Sequence, residues 1–148
     1  MRLELPDQAT LENWAAETLA PALLARIGQS HLLLLQGDLG AGKTTLARAL
    51  IRSLCNAPTL DVPSPTYTLL QTYDSALGPI WHFDLYRLHH PDEVIELGWE
   101  DVNTTFLTLV EWPERLGDLQ PHNAITLTLN MVGTSDTARS ITVTGLDL

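Results

Sequence analysis

The segment Gly37-Asp38-Leu39-Gly40-Ala41-Gly42-Lys43-Thr44 limits this chain more than any other feature. Its glycines admit backbone conformations closed to residues with a Cβ, so one loop can turn its N–H groups inward around an anion. Two glycines five apart, followed by Lys and Thr, fit the Walker A pattern. Both flanks agree with that reading. His31-Leu32-Leu33-Leu34-Leu35-Gln36 is a short unalternating apolar run, which suits a strand covered on both faces. Lys43 to Leu54 reads as a helix, with Leu46 and Leu50 inward and Arg48 and Arg52 outward. A phosphate seated on the loop meets the positive end of that helix's dipole. Lys43 reaches the β- and γ-phosphates, and the Thr44 hydroxyl is a ligand for Mg²⁺. The basic residues comprise seven arginines and one lysine, and that lysine is Lys43.

The rest of the chain reads as strands and helices around this loop. Apolar residues at Leu11, Trp14, Ala15 and Leu19 mark one face of a helix, with Thr10 as its expected N-cap and Pro21 as its end or kink. Thr66 to Tyr73 and Ile80 to Leu85 read as a hairpin turned at Asp74 to Pro79. Pro91-Asp92-Glu93 opens a short helix that Gly98 stops. Phe106 to Glu111 is a further apolar strand. Ala124 to Asn130 and Arg139 to Thr144 alternate as a C-terminal strand pair, turned at Gly133 to Asp136. The expectation is one α/β domain over residues 1–148: a P-loop NTPase-like mixed sheet flanked by helices, with an antiparallel hairpin and C-terminal strands.

Composition excludes several classes. Eight basic against eighteen acidic side chains give a net charge of −10, a poor balance for gripping nucleic acid or an anionic membrane directly. One cysteine, Cys55, permits no intrachain disulfide and has no basic activator near it in sequence, so it reads as structural. No apolar run approaches the length a bilayer requires, so a soluble cytoplasmic protein is expected.

A P-loop needs carboxylates for the metal and the attacking water. Glu111 closes its apolar strand in a Walker-B-like position, since ligands of open α/β sheets lie beyond the carboxyl ends of the strands. In Trp81-His82-Phe83-Asp84-Leu85-Tyr86, alternation puts Trp81, Phe83 and Leu85 toward the core, with His82, Asp84 and Tyr86 opposite. Asp84 then either reaches the Mg²⁺ shell or the γ-phosphate, or sits on a solvated polar face. His82 and Asp84 lack a third ligand at a spacing that would make a transition-metal site, and His89-His90 reads as a solvated pair. From spacing alone Ser64-Pro65-Thr66 is a turn with two hydroxyls, and Trp112 is either core or lid. ATP is preferred to GTP. The guanine-reading Asn/Thr-Lys-x-Asp segment needs a second lysine, and no Asp-x-x-Gly is present.

Four blocks taken together carry a resemblance: Gly37 to Thr45, Ser64-Pro65-Thr66-Tyr67, His82-Phe83-Asp84-Leu85-Tyr86-Arg87-Leu88, and Val110-Glu111-Trp112-Pro113-Glu114. In order and spacing they resemble the TsaE (YjeE) family of small bacterial ATPases. The resemblance implies the ATPase component of the machinery that makes N6-threonylcarbamoyladenosine in tRNA, acting with the TsaB–TsaD pair and touching tRNA only through it. It implies ATP/ADP and Mg²⁺ as cofactors, with nucleotide held by Gly37, Asp38, Leu39, Gly40, Ala41, Gly42, Lys43, Thr44 and Thr45. It further implies Thr66 in a switch-like loop near the γ-phosphate, Trp112 beside the nucleotide, and Asp84 and Glu111 serving the metal and the water. The catalytic set is then Lys43, Asp84 and Glu111, and the metal set Thr44, Asp84 and Glu111. Trp99 to Thr105 departs from the aromatic-rich segment that relatives often carry there, which bears on partner contacts.

Two alternatives stand beside hydrolysis. One is a docking or regulatory module that uses ATP only as a ligand. The other is a small-molecule kinase, although the scattered arginines offer no clustered lid.

Overall fold

The computed structural model describes residues 1–26 and 28–148. Seven strands form one sheet in the order β1-β7-β6-β2-β5-β4-β3. They are β1 (Arg2–Leu5), β2 (His31–Gln36), β3 (Leu70–Ser75), β4 (Gly78–Asp84), β5 (Leu107–Glu111), β6 (Ile125–Met131) and β7 (Arg139–Thr144). Strands β6, β2, β5 and β4 run parallel, while β3 and β7 pair antiparallel at the flanks and β1 pairs antiparallel with β7. The expected mixed α/β sheet, hairpin and C-terminal strand pair are therefore present.

The unbroken leucine run of β2 follows from packing on both faces. Leu33 and Leu35 join the core that holds Leu46 and Leu50 of α3 (Lys43–Leu54), and Leu34 joins a second core with Phe83, Val94 and Leu116. Each such fully buried side chain contributes about 1.5–3 kcal/mol. Helices α1 (Gln8–Trp14) and α2 (Ala20–Leu24), with the π turn between them, cover the first face beside α3, through Leu11 of α1, Leu19 of the turn and Leu23 of α2. Helix α4 (Glu93–Glu96) and the 3₁₀ turns Trp99–Thr104 and Pro113–Leu119 cover the second.

The structure corrects four local expectations. Asp7, not Thr10, caps α1, because its carboxylate accepts from Thr10 N at 2.8 Å and from Thr10 Oγ1 at 2.6 Å. Pro21 does not end the helix. A π turn over Ala15–Leu19, in which Ala20 N donates to Ala15 O, carries the chain past the proline into α2. Strand β3 begins at Leu70 rather than Thr66, since residues 66–69 form a turn with Leu69 at φ 66°. Arg48 and Arg52 are half-buried instead of solvated, each donating from Nε to a loop carbonyl, Val62 at 3.0 Å and Leu60 at 2.8 Å. Strand β1 was not expected from the sequence at all.

Among the described residues no helix is long and apolar enough to cross a membrane.

Candidate functional site

The parallel strands end together. Leu35 of β2 and Asp84 of β4 both pair with Glu111 of β5, so both acids stand beside the loop that leaves β2. Glu111 shares its sheet face with Leu107 and Leu109, the face that carries α3.

Glycines set the path of the loop against β6. Gly37 adopts φ 151°, and a Cβ there would lie 2.6 Å from the Leu129 carbonyl oxygen. Gly42 adopts φ 105° and begins α3 without a side-chain cap. Leu46 N makes the first helical bond, to Gly42 O at 2.9 Å. The amides of Lys43, Thr44 and Thr45 precede that bond and have no intrahelical acceptor. Arg139 of β7 fixes the loop from outside, donating from Nε to Ala41 O at 3.1 Å and from Nη2 to Gly40 O at 3.0 Å.

Lys43 is buried and turns back on its own loop, donating to the carbonyls of Gly37 and of Asp38, the latter at 3.1 Å. Its ammonium stands 3.8 Å from the centre of the Trp112 ring. Burial lowers its pKa from the ordinary lysine value, against the opposing pull of Glu111, Glu114, Asp84 and Asp38. Trp112 takes a left-handed backbone at φ 59°, ψ 52°, which reverses the chain after β5 and brings its ring 5.0 Å from that of Tyr86. It is half-buried at the rim of the site.

The acids are both buried. Glu111 Oε1 accepts from Thr44 Oγ1 at 2.8 Å. Glu111 Oε2 lies 2.6 Å from His82 Nε2. Asp84 Oδ2 accepts from Thr66 Oγ1 at 3.1 Å and Ser64 Oγ at 3.3 Å, while Oδ1 accepts from Tyr86 N at 3.0 Å. The solvated polar face considered for His82 and Asp84 is thus overturned: His82 is fully buried and Asp84 only 4% exposed, under a face closed by Thr44, Ser64 and Thr66.

These side chains line one cleft of about 260 Å³, bordered by Leu39 to Thr45, Ser64, Thr66, Asp84, Glu111 and Trp112. A neighbouring hollow of about 200 Å³ continues past Gly40, Gly42 and Thr45 to Gln8, Leu11, Asp136, Thr137 and Arg139. A larger hollow of about 470 Å³ lies between α1 and α3 but holds neither the acids nor Lys43. Gly37 and Asp38 flank the cleft and contribute their carbonyls to Lys43 rather than lining it. All residues expected at the site therefore gather at one end of the sheet.

Sequence reading missed three contributors. His82 stands two residues before Asp84 on the same strand face, and its pairing with Glu111 needs the register of two strands. Ser64 lay in a recognised block but had no assigned partner. Arg139 reaches the loop across 98 and 99 residues of sequence, and no local pattern announces it. Among the described residues no group of three or more His, Cys, Asp or Glu side chains forms a metal cluster. Cys55 is a free, half-buried thiol whose pKa burial raises.

Comparison with known proteins gives a consistent picture. Residues 10–141 match the family model described as "Threonylcarbamoyl adenosine biosynthesis protein TsaE". A Rickettsia bellii protein named "tRNA threonylcarbamoyladenosine biosynthesis protein TsaE" is 39% identical over 132 residues, which is 88% of this chain and 91% of that protein. A Haemophilus influenzae protein of the same name is 35% identical over 138 residues, covering 93% of this chain and 84% of its own length. Among solved structures, the crystal structure of Bacillus subtilis YdiB superposes with a TM-score of 0.71 at 23% identity, over 97% of this chain and 83% of that one. That last likeness speaks for the fold.

Proposed function

The chain belongs to the TsaE family of threonylcarbamoyl adenosine biosynthesis proteins, and on that premise we propose that it is a magnesium-dependent ATPase serving tRNA threonylcarbamoyladenosine modification together with a TsaB–TsaD pair. The single observation that carries the ATPase reading is the contact of Thr44 Oγ1 with Glu111 Oε1, at 2.8 Å, at the mouth of the glycine loop. It places the hydroxyl and the carboxylate that a P-loop enzyme requires within one bond of each other.

The residues suit the ligands. The absence of a Cβ at Gly37 lets the loop pack close to Leu129 of β6, and the amides of Lys43, Thr44 and Thr45 are free to take phosphate oxygens. Lys43 holds two backbone carbonyls that it can exchange for β- and γ-phosphate oxygens. The nucleoside is assigned to the hollow between Gln8 and Arg139, which adjoins the loop at Gly40, Gly42 and Thr45. Thr44, Glu111 and Asp84 present hard oxygen donors, the set that suits Mg²⁺. The ion, when bound, neutralises charge on the transferring phosphoryl oxygens.

Water attacks the γ-phosphorus in line, and the bond from that phosphorus to the β–γ bridging oxygen breaks, giving ADP and phosphate. Glu111 accepts a hydrogen bond from the water and aligns it. Lys43 and the loop amides stabilise the charge that develops. The Thr66 hydroxyl is held by Asp84 and lines the cleft beside Lys43, so a γ-phosphate bound there would compete for it and give the loop a means of sensing the triphosphate. With a net charge of −10, the chain is assigned no direct grip on tRNA.

The test is phosphate release by the chain alone and with the TsaB–TsaD pair. Release that depends on magnesium and rises with the pair is expected. Many rounds of tRNA modification supported by a non-hydrolysable ATP analogue would instead favour a docking module. Transfer of labelled phosphate to a small acceptor would favour a kinase.

A further inference from the structure

His82 is an expensive residue to bury. It is fully buried, and its Nδ1 has no hydrogen-bond partner among the described residues. An apolar residue of similar size would fill the same volume without that loss. What His82 adds is one directed contact, Nε2 to Glu111 Oε2 at 2.6 Å. A carboxylate oxygen accepts, so the hydrogen in this contact is supplied by Nε2. The other oxygen of Glu111 is engaged by Thr44 Oγ1 at 2.8 Å.

Strand register explains the reach. His82 pairs with Leu109 and Asp84 with Glu111, so His82 lies diagonal to Glu111 on the neighbouring parallel strand. One strand therefore delivers Asp84 to the cleft and, two residues earlier, a donor beneath Glu111.

We propose that His82 is a positioning residue for the hydrolysis reaction: its Nε2–H holds Glu111 Oε2 and so presents Oε1 at the Thr44 hydroxyl. It touches neither nucleotide nor water, and it acts through the carboxylate. The inference rests on the role given to Glu111 above. Without the donor, the carboxylate turns among several rotamers, and only a fraction of molecules have Oε1 in place.

The experiment compares wild type, His82→Gln and His82→Asn in magnesium-ATP binding and in phosphate release with the TsaB–TsaD pair. A glutamine amide nitrogen reaches the place of Nε2, whereas an asparagine amide ends near Nδ1. We expect His82→Asn to lower kcat by about 10- to 100-fold, with ATP affinity changed by less than roughly threefold. His82→Gln should restore kcat to within roughly threefold of wild type. Equal rates in the two variants, whether both normal or both impaired, would overturn the assignment. A wild-type chain that releases no phosphate with the pair overturns the hydrolysis reading itself, whereas active wild type beside an equally active His82→Asn removes only the role of His82. Should the variants not fold, ¹⁵N spectra of the wild-type imidazole decide the matter. Hydrogen on Nε2 supports the contact, and an imidazole with hydrogen on Nδ1 alone overturns it.

Discussion

Strands β2, β4 and β5 are parallel, so the two ends of this trio come from the same segments of chain and differ only in what adjoins them. At the carboxyl ends stand the glycine loop, Asp84 and Glu111. At the amino ends stand His31, Pro79 and Phe106. There His31 N donates to Phe106 O at 2.9 Å, and Phe106 N donates to Pro79 O at 2.8 Å. The His31 ring meets the Phe106 ring edge-on at 5.3 Å, and the hydroxyls of Thr105 and Thr108 bond each other at 2.8 Å. Both ends bury polar groups. The amino end buries an imidazole and two hydroxyls, while the polar groups of the carboxyl end are carboxylates and an ammonium facing an open cleft. Burial alone does not mark a site here; buried charge beside free space does.

Substitutions at the two ends should separate cleanly into lost activity and lost stability. Lys43→Ala is expected to have the largest effect, weakening ATP binding on the order of 10³-fold by calorimetry, with little change in the melting temperature. Glu111→Ala should keep nucleotide binding and lower phosphate release with the TsaB–TsaD pair by about 10²- to 10³-fold. Normal turnover in that variant would remove Glu111 from its role. At the other end, Phe106→Leu should cost about 1 kcal/mol in urea unfolding and leave turnover per folded molecule unchanged. A loss of turnover there would blur the contrast between the ends.

The smallest effect is one of pH. Burial is the main cause that lowers the His31 pKa from the ordinary 6.5. The unfolded chain therefore takes the proton more readily than the folded one. This contribution to stability is complete above about pH 6.5 and is lost as the pH falls through the lower, folded value. Urea midpoints measured from pH 7 to pH 5 should fall more steeply in wild type than in His31→Gln.

Much of the carboxyl end was legible because its signals are local. A glycine loop between an apolar strand and an amphipathic helix is contiguous in sequence, and an acid closing an apolar run marks a strand end. Other features depended on distant pairing. Strand β1 is four residues long with one buried side chain, Leu5, and only its ladder with β7 makes it a strand. The Arg139 clamp and the His82–Glu111 contact both require neighbours that only the sheet brings together. Pro21 misled because the π turn that accommodates it leaves no mark in the residue types. The polarity of His82 and Asp84 suggested solvent, whereas Ser64, Thr66 and Thr44, distant in sequence, close over that face of the sheet.

Titration calorimetry of the purified chain with ATP, with and without magnesium, bears most directly on the carboxyl-end cleft. One saturable site, strengthened by magnesium and lost in Lys43→Ala, is predicted. Absence of saturable heat in wild type, or equal binding by Lys43→Ala, would contradict it.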